Sequence, residues 1–399
     1  MGQKQILIFQ WDSIGKDDVV EGFKKLGFIC DTIYLGSAKE IRKEIDLDVV
    51  RAGIIGRGYV FVFSTNYFYP IAKTCNEVGV PYLSWSYDSP MRVDHEEELS
   101  MDTNHVFFFD SKEAEYYKIN YGCQNVYHLP LAVNADRFDK VLSGGADPKY
   151  KADVSFVGRL YDSTFSNALS LLDDYRREFL LGITDAALRT RDAEHVYSIC
   201  NQGFVDWIDN KAFCDAVNAD FDDAASEVDR TAYRLGIQLC KYSTNKERIM
   251  LLSMLGPHFD VKLYSDTSSE FLKNVKECGT VEYEGESPFV FKCSKINLNS
   301  TYLSIRSGIP LRCLDIMGCG GTLLSNRQKD FELDFEDKRS VLLYSSMEEA
   351  FDKCEYYINH DSEREKLAEA GKRIVREKYS YEYKLKEMLR MANLEYLLK

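Results

Sequence analysis

The sequence predicts an α/β protein built from two doubly wound domains joined by a short linker. Length, one recurring pattern and one break in that pattern carry the prediction. A chain of 399 residues exceeds the roughly 100–200 residues that a single core usually organises. Short β-branched or aromatic runs alternate with amphipathic helical stretches, as parallel strands joined by crossover helices do. The rhythm breaks at residues 134–150, where Ser143, Gly144, Gly145, Ala146, Asp147 and Pro148 form a turn-rich stretch typical of a linker.

Residues 6–9 read as the first strand and 17–26 as the first helix. Further strands are expected at 29–34, 59–63, 82–85, 106–109 and 126–129, which complete a first domain over residues 1–140. A second series opens at 154–157, an apolar run ending at Gly158. Residues 163–245 are acidic, helical in period and free of a clear strand, and read as a helical insertion. Strands return at 261–264, 281–283, 296–298, 321–324 and 341–344, giving a second domain over residues 150–379. Two helices, 362–378 and 381–398, close the chain.

A net charge of −14 argues against a nucleic-acid or anionic-membrane surface, because both reward clustered Lys and Arg. Small molecules and proteins are the expected partners. The 11 cysteines are scattered without a Cys-x-x-Cys pair, which fits reduced thiols. The first ten residues hold only a short apolar run, too short for a secretory signal and without a small-residue cleavage site. No segment reaches the ~18 apolar residues of a spanning helix, so the expected location is the cytoplasm.

Ligands of open parallel sheets bind beyond the carboxyl ends of the strands, where strand order reverses. After the first strand, Gln10-Trp11-Asp12-Ser13-Ile14-Gly15 lacks the G-x-G-x-x-G fingerprint, and no Walker P-loop occurs. A dehydrogenase or P-loop ATPase is thereby disfavoured. Residues 294–326 are more informative. Asn299, Ser300 and Thr301 cluster small hydrogen-bonding groups where a strand ends. Gly308 and Pro310 punctuate a turn, and Arg312 and Asp315 then fall three apart on one face of the following helix. An arginine beside a helix N-terminus suits a diphosphate, and a carboxylate one turn deeper, at the cleft edge, can accept two ribose hydroxyls. Gly318, Gly320 and Gly321 end the helix. The same residues also fit an ordinary helix start with a surface Arg–Asp pair. Metal binding is not expected. The triplet Asp46-Leu47-Asp48 sits in a charged helical stretch, and the six histidines show no i, i+4 pairing.

The runs Ser294-Lys295-Ile296-Asn297-Leu298-Asn299, Ser307-Gly308-Ile309-Pro310-Leu311-Arg312 and Asp315-Ile316-Met317-Gly318-Cys319-Gly320-Gly321 resemble the CgeB-like (spore-maturation-protein-like) branch of GT-B glycosyltransferases. So do residues 153–160, 129–134 and 84–90 (DVSFVGRL, LPLAVN and SWSYDSP). The resemblance implies two facing Rossmann-like domains, the first for the acceptor and the second for the donor, with residues 380–399 crossing back onto the first. It implies sugar transfer from a nucleotide donor, UDP favoured, to a hydroxyl of a glycan, protein or lipid-linked acceptor in bacterial glycan or glycoprotein assembly, without a metal.

Carried over residue by residue, Asp315 stands where many such enzymes place a Glu on the donor ribose, and Gly158-Arg159 matches the segment whose basic residue meets the donor phosphates. Ser307, eight residues before Asp315, stands where the commonest retaining enzymes have a second Glu, so their mechanism does not transfer. Asp88, after a buried strand, is the candidate base, with a turn aspartate as its plainer reading. Asp12 and Ser13 are acceptor-side candidates. Tyr283 and Glu284, expected to end a strand, lie at the level of the nucleobase. Two rival readings share the architecture: a sugar-nucleotide epimerase and a non-catalytic partner subunit.

Overall fold

The computed structural model describes residues 4–398 apart from 44, 92, 94, 95, 146, 162–164, 192, 220 and 222–229. The first sheet comprises β1 (Gln5–Gln10), β2 (Ile29–Tyr34), β3 (Val62–Thr65), β4 (Tyr82–Trp85), β5 (Asn104–Phe108) and β6 (Val126–His128), in the order β2-β1-β3-β4-β5-β6. The second comprises β7 (Ala152–Val157), β8 (Val261–Tyr264), β9 (Val275–Glu277), β10 (Ser294–Asn299), β11 (Leu323–Asn326) and β12 (Leu342–Tyr344), in the order β12-β11-β10-β7-β8-β9. All the pairings between these strands are parallel. Strand order reverses between β1 and β3 in one sheet and between β7 and β10 in the other, and those two points locate the ligand crevices.

Continuous apolar runs form these strands because both faces of each sheet are covered. In β1, Ile6 and Ile8 pack with Phe23, Phe61, Phe63 and Trp85, while Leu7 and Phe9 face Val62, Ile71 and Tyr82 on the other side. The period of two thus divides one short strand between two cores.

One expected strand is misplaced. Residues 281–283 form no strand; the edge strand is β9, which pairs Val275 with Val261. Both Val-Lys-Glu and Val-Glu-Tyr alternate. The second is instead drawn into a turn, because Glu282 accepts the Glu284 amide at 2.8 Å and its carbonyl accepts the Glu286 amide at 3.1 Å.

Between β7 and β8 the described residues form helices only, from Phe165–Leu169 to Thr231–Leu255. They share a core of Leu180, Phe213, Leu235 and Leu239, into which Leu303 from the loop after β10 also packs. The Thr231–Leu255 helix continues past the insertion, and its Leu251, Leu252 and Leu255 cover the second sheet. The insertion therefore grips a crevice loop through the helix that serves as a crossover.

The domains share one apolar core, in which Phe107, Phe109 and Leu129 meet Ile309, Leu314, Met317 and Phe331. The Tyr381–Met391 helix returns to the first domain. It lies so close to the Lys16–Lys25 helix that a Cβ on Gly22 would stand 2.8 Å from Leu385 Cδ1. Asp46 caps the Leu47–Ile54 helix by accepting the Asp48 and Val49 amides at 2.9 and 3.3 Å. All 11 cysteines are free thiols, and among the described residues no helix is long and apolar enough to cross a membrane.

Candidate functional site

The second-domain crevice opens between the ends of β7 and β10. At the end of β7 the chain turns at Gly158 with φ +145°, and a Cβ there would lie 2.6 Å from Arg312 Nη2. Only glycine lets the guanidinium rest against this turn. Arg312, in the first turn of the Leu311–Gly318 helix, donates to Asn299 Oδ1 at 3.3 Å, and its guanidinium sits 5.5 Å from the Phe156 ring centroid. Beside it lies Arg248, a residue the sequence reading passed over.

The Arg248 guanidinium donates to the Ser300 carbonyl at 3.1 and 2.6 Å and to the Arg159 carbonyl, and it sits 5.3 Å from the centroid of the same Phe156 ring. Burial, with the charge of Arg312 nearby, pushes it down to about 10. Neither arginine has a carboxylate in ion-pair contact among the described residues; their partners are an amide oxygen, carbonyls and, for Arg248, Tyr161. Arg248 is buried, whereas Arg312 is partly exposed, so its guanidinium is within reach of a ligand in the crevice.

Asn299, Ser300 and Thr301 are buried and form the wall behind the arginines. Asn299 Nδ2 donates to Thr301 Oγ1 and Ser325 Oγ, both at 3.0 Å. Ser300 Oγ donates to Glu247 at 2.7 Å, and Glu247 pairs with Arg191 of the insertion. The Thr301 amide donates to Asn326 Oδ1 at 2.7 Å.

Asp315 does not lie at the cleft edge. It is 2 % exposed, one turn below Arg312, and burial pushes its carboxyl up to about 7, offset in part by Tyr283, Arg137 and Arg312. It pairs with Tyr283, whose hydroxyl donates to Oδ1 at 3.1 Å, rather than with Arg312. Tyr283 is thus in a turn against Asp315 and does not end a strand. Arg137 stacks 5.5 Å from the Tyr283 ring centroid and donates to Asp18 at 2.6 Å, while the exposed Glu284 lies 3.5 Å from it. Arg159 does not join Arg312: its side chain is 73 % exposed and pairs with Asp266 at 3.1 Å. Its backbone carbonyl, rather than its charge, belongs to the crevice.

At the first-domain reversal point, Ser13 Oγ and Thr65 Oγ1 are 3.0 Å apart, and Trp11 Nε1 donates to the Thr65 carbonyl at 3.0 Å. Asp88, exposed in the loop after β4, accepts from Asn66 Nδ2 at 2.8 Å. Asp12 is turned away onto Lys16 at 3.1 Å, and its carboxyl is held low by hydrogen bonds from Lys16 and Tyr34.

A polar latch fixes one domain on the other. Asp110 accepts the Arg306 and Ser307 amides at 2.6 and 3.1 Å and the Ser307 hydroxyl at 2.6 Å. Asp330 in return accepts the Ser111 amide at 3.0 Å and its hydroxyl at 2.5 Å. Ser307 is therefore a docking residue. Beneath the latch, burial and the neighbouring Asp110 push Glu113 up to about 8 while it accepts Ser89 Oγ and the Met91 amide at 2.8 and 2.7 Å. Among the described residues, no three His, Cys, Asp or Glu side chains converge to hold a metal ion.

Residues 246–390 match the model of a family described as Glycosyl transferase-like. No curated protein matches. Among solved structures, a glycosyltransferase from Rickettsia africae is similar with a TM-score of 0.61 and 12% identity over 100% of both chains. A sucrose-phosphate synthase from Thermosynechococcus elongatus gives 0.56 and 10% over 99% of each chain. Anabaena Alr3699/HepE in complex with UDP-glucose gives 0.53 and 10% over 98% of this chain and 99% of that one. The shared feature is the fold, two facing Rossmann-like domains of the GT-B type.

Proposed function

We propose that this chain transfers a sugar from a nucleotide donor, UDP-linked by preference, to a hydroxyl of an acceptor seated on the first domain, without a metal. The observation that carries the reading is the pair of guanidiniums, Arg248 and Arg312, that face the β7/β10 crevice with no carboxylate partner among the described residues. A nucleoside diphosphate supplies an anion that complements this charge. Its diphosphate meets Arg312 and the free amides at the start of the Leu311–Gly318 helix. Arg248, turned onto the Ser300 and Arg159 carbonyls, adds charge without contact. Asp315 exchanges its Tyr283 partner for the ribose hydroxyls, which places the base toward Tyr283 and Glu284. Ligand complexes of similar fold, such as the UDP-glucose complex of Alr3699/HepE, and the match over residues 246–390 support a sugar nucleotide over another anion.

On the facing domain, Ser13 and Thr65 offer hydroxyls for acceptor contact, and Asp88 is the base. In a single displacement the Asp88 carboxylate takes the acceptor proton as the acceptor oxygen bonds to the anomeric carbon. The bond from that carbon to the phosphate oxygen breaks, and the diphosphate leaves with its electron pair, stabilised by Arg312 and the helix N-terminus. A panel of nucleotide sugars assayed for binding and slow hydrolysis tests this reading. Release of UDP that rises with acceptor supports transfer. Isomerisation of the donor identifies the epimerase instead, and no binding by any donor overturns both.

A further inference from the structure

The chain after β3 turns at Asn66 with φ +63°, a conformation that costs energy in a non-glycine residue and persists only where surroundings hold it. Those surroundings are specific. The Asn66 amide donates to the Trp85 carbonyl at 2.7 Å, and its own carbonyl accepts Ser64 Oγ at 2.7 Å. Its side chain reaches across to the loop after β4. Oδ1 accepts the Tyr87 amide at 2.8 Å and the Asp88 amide at 3.4 Å. With Oδ1 occupied by two N–H donors, Nδ2 is left facing the Asp88 carboxylate, to which it donates at 2.8 Å. Ser89, the next residue, is 9 % exposed and anchored on Glu113 at 2.8 Å. Asp88 is therefore an exposed carboxylate on a loop held from both sides, and one of its oxygens is fixed by a single side chain.

We infer that Asn66 is a positioning residue for sugar transfer: its carboxamide orients the Asp88 carboxylate toward the acceptor hydroxyl. The inference rests on Asp88 being the base of the proposed reaction. A left-handed turn at the sheet's reversal point carries this side chain because asparagine tolerates the backbone and supplies an acceptor and a donor in one planar group. Glycine would satisfy the turn alone.

Two substitutions separate the roles. Asn66→Gly keeps the backbone and deletes the carboxamide. Asn66→Asp keeps an acceptor for the Tyr87 and Asp88 amides but replaces the donor with a second carboxylate, which repels the Asp88 carboxylate instead of holding it. Turnover with saturating donor and varied acceptor is measured for the parent, both variants and Asp88→Asn, with UDP affinity recorded for each.

The expected result is a fall in kcat of about 10- to 100-fold for both variants, as a misoriented base produces, with UDP affinity unchanged. Acceptor KM should stay near the parent value in both, so that the loss falls on kcat. A purely structural role predicts a different pattern: Asn66→Asp near normal and Asn66→Gly impaired, with kcat and acceptor KM changing together. That result, or normal turnover in both variants while Asp88→Asn is inactive, overturns the inference and leaves Asp88 as the base. Near-normal turnover by Asp88→Asn overturns the underlying reading instead.

Discussion

Asp315→Asn separates the two properties the structure gives this residue, a buried charge and a ribose acceptor. The carboxyl is displaced from 3.8 to about 7, chiefly by burial. The folded chain then retains a proton that the unfolded chain releases between these values. The stabilisation tied to that proton is complete below about pH 4 and is lost as pH rises toward 7. Each pH unit in that window is worth about 1.4 kcal/mol, so the whole displacement amounts to about 4 kcal/mol. Between pH 5 and pH 8 the parent should lose about 3 kcal/mol relative to the Asn variant, because two units of the window lie in that interval. Glu113, displaced in the same direction to about 8, titrates in both proteins and cancels from the difference.

Nucleotide binding should move the other way. At pH 8 the carboxylate accepts ribose hydroxyls as a charged group and the carboxamide does not, which weakens UDP by about 1.5–3 kcal/mol. That corresponds to roughly 10- to 150-fold in Kd. Chemical denaturation of both proteins at pH 5 and pH 8, with calorimetric titration of UDP at pH 8, measures the two effects independently. A stability difference that does not change with pH would refute the buried titratable carboxyl. Unchanged UDP affinity would refute the ribose assignment.

Three further outcomes are expected. Asp88→Asn should reduce turnover by on the order of 10²-fold with donor binding intact, and equal losses of turnover and UDP affinity would place it elsewhere. Activity should survive EDTA, since among the described residues no metal-ligand cluster forms; a loss that Mg²⁺ or Mn²⁺ restores would expose a missed site. Gly158→Ala should weaken UDP at least tenfold, because its Cβ would stand 2.6 Å from Arg312 Nη2 and displace that guanidinium. Titration of the variant beside the parent decides, and parental affinity would mean Arg312 does not need this turn.

The central strands were legible because each is short, largely apolar and buried on both faces, whereas the edge strands β2 and β9 are mostly exposed. Val281 misled because two segments alternate six residues apart and only pairing with β8 distinguishes them. Arg312 and Asp315 could be read as a site from their spacing and resemblance, but their partners could not. Asp315 was expected at the cleft edge, but it is buried and its partner is Tyr283, 32 residues away. Arg248 carried no local signal, since it lies in a helix whose tertiary partners are carbonyls at Arg159 and Ser300. Asn66 was equally silent. A lone asparagine after a strand reads as a turn until the loop it holds is in place.

The central claim is that the β7/β10 crevice binds a nucleoside diphosphate through Arg312 without metal. Titrating UDP into the parent and into Arg312→Ala, both in EDTA, tests it most directly. The account predicts one site in the parent and a Kd roughly 10- to 150-fold weaker in the variant, the loss of a charge-assisted contact of about 1.5–3 kcal/mol. Equal affinity in the two proteins, or no binding by the parent, would contradict it.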